Sequence, residues 1–373
     1  MLRKIFIPSL IFFIAGMLIL HNFLSCSGTD RNRQDKERTV TDMQGRKVQL
    51  PDSINRIVGL EAGALRLIAY MQSVDRVVGV EDIEHRTSRP YNYAYPELAE
   101  KPVIGPVHGG DAELITAQNP DVIFWTYTTA GKADELQRKT GIPVITLQYG
   151  NFNDRMDTLF AALQLMGKIM HKQERAQTLI AYIRQTINGL DKRTATIPDS
   201  SRPTAYAGGI SYRGGHGIVS TEPDYAPFRF TNTPNVAAEL GPVRISPGGS
   251  MEQAMVDKEQ IITWNPDYLF VDAMNLPQVL EDIEANPALS RTLKAVRENR
   301  CYTLMPYNYY TTNFATVLAN AFFVGKTLYP HHFRDVDIRE QAGAIYKNLL
   351  GADVYPEMAG EYGHFRRLRL DPK

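Results

Sequence analysis

Four short β-branched runs dominate the first half of the chain: "RIVGL" (56–60), "RVVGV" (76–80), "DVIFW" (121–125) and "PVITL" (143–147), each bounded by turn residues. Amphipathic stretches at 64–72, 111–118 and 132–140 separate them. Strand, helix, strand at this spacing leaves no room for hairpins; it requires a parallel sheet with helices on both faces. Residues 39–170 are therefore expected to form one α/β lobe. A second set, "TAYAG" (204–208), "DYLFVDA" (267–273) and "CYTLMP" (301–306), is interleaved with helical patterns near 250–263, 277–295 and 312–328. It predicts a second lobe over 198–333, and 334–373 reads as a C-terminal helical extension.

The segment 171–197 has a different period. Ala176, Leu179, Ile180, Ile183, Ile187 and Leu190 recur at three and four residues, the spacing of one helix face, with no proline before Pro198. About 24 residues make a rod of roughly 36 Å, long enough to run along both lobes. The expected fold class is α/β: two parallel-sheet lobes joined by a single long bridging helix, with a cleft between them. One stiff crossing permits small hinge motion only.

The lobes also echo each other. "DAELITAQNPDVIFW" (111–125) and "VDKEQIITWNPDYLFV" (256–271) both run acidic residue, Glu, apolar helix, Asn-Pro-Asp, strand. Proline disfavours helix in the residue before it and has no amide donor, so each Asn-Pro-Asp is expected to end its helix.

The N-terminus reads as a targeting segment. "MLRKIFIPSLIFFIAGMLIL" has a basic start and an apolar run, and "HNFLSC" follows; residues 1–25 are expected to be a signal peptide and Cys26 an acylated cysteine. The polar stretch 26–38 then reads as a flexible tether. Cys301 is left alone, which excludes an intrachain disulfide, and its apolar context marks it as a core residue. Lys plus Arg equals Asp plus Glu, 41 each, so no basic field invites nucleic acid. No Gly-x-Ser-x-Gly elbow, Walker loop, dinucleotide fingerprint or Cys/His metal cluster is present, so an enzyme is not expected. The scattered histidines do not suggest a site for a bare metal ion.

The opening "TVTDMQGRKVQLPDSINRIVGLEAGALRLIAYM", with "VVGVED" after it, resembles the substrate-binding lipoproteins of ABC importers for iron complexes and vitamin B12, the helical-backbone or class III periplasmic binding proteins. The resemblance covers about 39–333, with the binding region at about 56–333. It implies non-covalent capture of a metal chelate in the cleft, one like a ferric siderophore, and delivery to a permease with a cytoplasmic ATPase. Cobalamin or haem, or capture without a permease, are the alternatives. It further implies no resident cofactor, a monomer, and a membrane-anchored protein in the periplasm or at the cell surface. The family docks through one glutamate per lobe, and the echo segments put these at Glu113 and Glu259.

Ligands of open parallel sheets sit beyond the strand C-termini. On that rule the expected contacts in the first lobe are Glu61 and Arg66 after the first strand, His85 and Arg86 after the second, and Trp125 and Tyr127 at the third. In the second lobe "MPYNYYTTN" offers Tyr307, Tyr309 and Tyr310, as phenolates for ferric iron or as neutral rings that stack on a chelate. "GGISYRGGHG" (208–217) follows the first strand of that lobe, and its Tyr212, Arg213 and His216 are expected to reach over the cleft. It is no phosphate loop, since no Gly-Lys-Ser/Thr follows.

Overall fold

The computed structural model describes residues 38–86, 88–212, 214–241 and 253–370. The expected signal peptide, Cys26, nearly all of the tether, and Arg213 lie outside them. A hairpin of β1 (Arg38–Thr41) and β2 (Lys47–Leu50) precedes the first lobe and tucks Val40, Val48 and Leu50 into the core. The first lobe is a four-stranded parallel sheet of β3 (Ile57–Leu60), β4 (Val77–Gly79), β5 (Val122–Thr126) and β6 (Val144–Leu147), in the order β4-β3-β5-β6. All four match the β-branched runs. Burial on both faces explains why these runs are continuously apolar rather than alternating.

Helices α1 (Ala64–Tyr70), α2 (Ala112–Ala117) and α3 (Ala130–Thr140) lie between these strands, and α4 (Met156–Met170) leads into the bridging helix α5 (Gln173–Thr194). Its 22 residues span about 33 Å. The second sheet contains β7 (Ala205–Gly208), β10 (Tyr268–Asp272), β11 (Cys301–Leu304) and β12 (Arg366–Leu368), in the order β12-β11-β10-β7. Two short strands, β8 (Ser220–Thr221) and β9 (Ala254–Met255), pair beside it, so part of the helix expected near 250–263 is strand; helix α6 is Lys258–Trp264. The helix expected over 277–295 is likewise broken. α7 (Leu276–Ala285) stops where Pro287 removes a donor, and Asn286 caps a new helix from Pro287.

Helix α8 (Phe314–Leu328) then packs against α9 (Ile338–Leu350), and α10 (Tyr355–Tyr362) follows. The extension ends in a strand rather than a helix, with β12 antiparallel to β11. One apolar core runs through both lobes: Phe314 stacks on Tyr149 at 5.0 Å and meets Phe152 at 4.7 Å. No helix among the described residues is long and apolar enough to cross a membrane.

Candidate functional site

In the first sheet the chain goes from β3 to β4 on one side and returns to β5 on the other. A crevice is expected past the strand ends at such a reversal. Glu61 leaves β3 there at φ 72, and Tyr127 leaves β5 at φ 49. His108, Tyr310 and Thr311 also have positive φ (72, 50 and 66). Left-handed backbone is unfavourable for side-chain-bearing residues, most of all for β-branched Thr311, and tends to mark places where surroundings impose a shape.

These residues converge. The Glu81 carboxylate, beyond β4 and 2% exposed, accepts from the Glu61 amide at 3.0 Å, the Gly109 amide at 2.9 Å and the Tyr310 hydroxyl at 2.7 Å. Tyr310 comes from the second lobe, so this carboxylate ties the lobes together. Burial pushes it up to about 7, against the pull of its three donors. Glu61 in turn pairs with His108 Nδ1. Behind the cluster, buried Arg89 is held by Glu84 at 2.8 Å and Asn92 at 2.9 Å, and lies over the rings of Tyr309 (5.3 Å) and Tyr310 (5.8 Å). Tyr127 and Thr311 join across the lobes, hydroxyl to hydroxyl, at 2.8 Å.

Other expected contacts are placed differently. Arg66 is not open to an anionic ligand: it is 1% exposed, and its guanidinium donates to Tyr149 and to carbonyls of residues 309, 310 and 312. Gly63, at φ 88, packs under the Tyr149 ring, which fills the space a Cβ would need. Tyr307 is buried, with its hydroxyl on Glu222. Burial pushes the phenols of Tyr307 and Tyr310 well up, so neither is a ready phenolate for iron; the neutral, stacking role remains. Trp125 is largely buried beneath Gly109, its indole N–H without a partner. His85 and Arg86 are exposed, His85 Nε2 being 3.4 Å from the Lys101 carbonyl.

In the glycine-rich loop His216 bonds back to the Tyr212 carbonyl at 2.7 Å. Gly217 packs on Asp282 of α7, where a Cβ would collide, so this glycine serves helix packing. Ser211, the Asn275 amide and the Asn308 amide form a buried network under the loop. Asp272 closes β10 nearby, with Oδ1 accepting from the Met274 amide at 3.0 Å and no hydrogen bond to Oδ2 among the described residues. Among the described residues no group of three His, Cys, Asp or Glu is arranged to hold a metal ion.

Glu81, Arg89, His108, Tyr149 and Asp272 were not among the expected site residues. Glu81 and Asp272 stand at strand ends and follow from the same rule as Glu61. His108 and Tyr149 depend on how their loops return to the cleft, for which the sequence carries no local signal.

The arrangement resembles known proteins. The molybdate-binding protein MolA of Haemophilus influenzae is 22% identical over 352 residues, 87% of this chain and 93% of that protein. Its molybdate-bound structure superposes with a TM-score of 0.65 at 20% identity, covering 85% of this chain and 98% of that one. A periplasmic solute binding protein from Veillonella parvula gives 0.68 at 19% identity, with 87% and 96% covered. Helicobacter pylori CeuE with Ni(II) bound gives 0.60 at 17% identity, with 84% and 96% covered. Residues 57–307, more than half of the chain, match the model of the periplasmic binding protein family, and the chain belongs to that family as a substrate-binding protein of ABC importers.

Proposed function

We propose that this protein captures a neutral or cationic metal chelate, of the ferric trihydroxamate type, in the cleft between its lobes. It then delivers the chelate to a permease driven by a cytoplasmic ATPase. The observation that carries this reading is the wall built from Glu61, Glu81 and His108 with Tyr310 over it. The Glu61 carboxylate there disfavours an anion, and Arg66 and Arg89 are already spent on protein acceptors and rings. Tyrosine faces suit the apolar rim of a chelate. Tyr309, Tyr310, Tyr127, Glu61, Tyr212, Arg213 and His216 are the proposed contacts, with His85, Arg86 and Trp125 at the margins.

In the same reading Glu113 and Glu259 dock on the permease, Cys26 carries lipid, and the protein acts as an anchored monomer outside the cytoplasmic membrane. A second reading, a free oxyanion, is favoured by the likeness to MolA. A thermal-shift panel separates them, since a ligand that binds only the folded chain raises its melting temperature. Ferric trihydroxamate should raise it, whereas molybdate and the trianionic ferric tris-catecholate should not. A shift with molybdate alone would replace the first reading by the second.

A further inference from the structure

Two consecutive residues of the cleft loop, Tyr310 and Thr311, hold left-handed backbone although neither is glycine. Such a turn does not hold its shape unaided. Its carbonyls point at one side chain of the other lobe. Arg66 Nη2 donates to the carbonyls of Tyr309 (3.1 Å) and Tyr310 (3.0 Å), and Nη1 to that of Thr312 (3.1 Å). Tyr149 completes the arrangement, accepting from Nη1 at 2.7 Å and donating to the Thr312 carbonyl at 2.6 Å. Among the described residues no carboxylate pairs with the buried guanidinium, so these oxygens and the rings of Tyr91 (5.2 Å) and Tyr149 (5.8 Å) compensate its charge.

We propose that Arg66 is a positioning residue. It locks the strained loop 309–312 of the second lobe onto the first, so that Tyr309 and Tyr310 are already set at the cleft when ligand arrives. A planar fork with several donors can hold three carbonyls of one loop at once, which a lysine ammonium on a flexible stem does poorly. The lock follows from geometry alone. Its consequence for affinity rests on the reading that the tyrosine loop meets a chelate.

The test is hydrogen–deuterium exchange of the full chain with and without Arg66→Met, read together with titration by ferric trihydroxamate. Exchange in peptides covering 305–313 should quicken about tenfold while β3, β5 and α5 keep wild-type rates, and chelate affinity should fall about tenfold. Arg66→Lys should lie between, a partial rescue. Wild-type exchange in 305–313 of a folded variant would overturn the lock, and so would uniform quickening throughout, the mark of a general packing role. If Arg66→Met does not fold, Tyr149→Phe removes one member of the arrangement and should quicken the same peptides less; no change there overturns it equally. Exchange needs no ligand, so a wild-type protein indifferent to the chelate would sink the chelate reading and leave the lock standing. Altered exchange with unaltered affinity would do the reverse, removing the positioning role.

Discussion

Asp272 shows what burial does to one carboxyl. It is 1% exposed, and burial pushes it from about 3.8 up to about 7. Between about pH 4 and 7 the folded chain therefore keeps a proton that the unfolded chain has released. The stability this provides is complete below about pH 4 and is lost as pH rises through 7. Asn at 272 keeps the shape and carries no charge to be desolvated. Urea unfolding should find Asp272→Asn more stable than wild type by on the order of 3 kcal/mol at pH 8, and no more stable at pH 4. Glu81, also raised to about 7, gives a slope of the same sign that should persist in the variant. At this scale the sequence locates residues that directly follow a strand, as Glu61 does where the chain leaves β3. It misled at Arg66, which is buried and whose partners include backbone carbonyls some 240 residues away, which any sequence supplies.

Elements were read more securely than side chains, because periodicity reports burial directly. The Asn-Pro-Asp echo has a physical counterpart in both lobes. Asn119 and Asn265 both adopt left-handed backbone, at φ 45 and 44. Each following aspartate then bonds the chain just before its lobe's first strand: Asp121 takes the amides of Asn55 and Arg56, and Asp267 takes that of Thr204. The same construction puts Glu113 and Glu259 in the first turns of α2 and α6, both exposed. If these helices are the docking knobs, reversing both charges (Glu113→Lys with Glu259→Lys) should leave ligand affinity unchanged and lower cellular uptake about tenfold or more, since ion pairs at a rim steer and orient. Uptake that persists at wild-type rates would remove docking from these two residues.

For the whole molecule, the least legible feature is how firmly the lobes are joined. The sequence shows one bridging helix. The structure adds a shared aromatic core and a C-terminal extension that touches both lobes. The Leu350 carbonyl accepts from Tyr95 at 2.6 Å, those of Asn348 and Leu349 accept from Arg175 of α5, Tyr362 donates to the Ser88 carbonyl at 2.9 Å, and β12 then completes the second sheet. These are mostly side chains on main-chain oxygens across long separations, which no local pattern encodes. On the proposed reading, a protein so joined receives its ligand with little rearrangement and the chemistry of the cleft wall chooses it. Native mass spectrometry of the protein purified from its own host tests that choice most directly. The carboxylate-lined wall predicts a bound species with the isotope pattern of iron that leaves together with an organic chelator; a molybdenum pattern in a small oxyanion would contradict it.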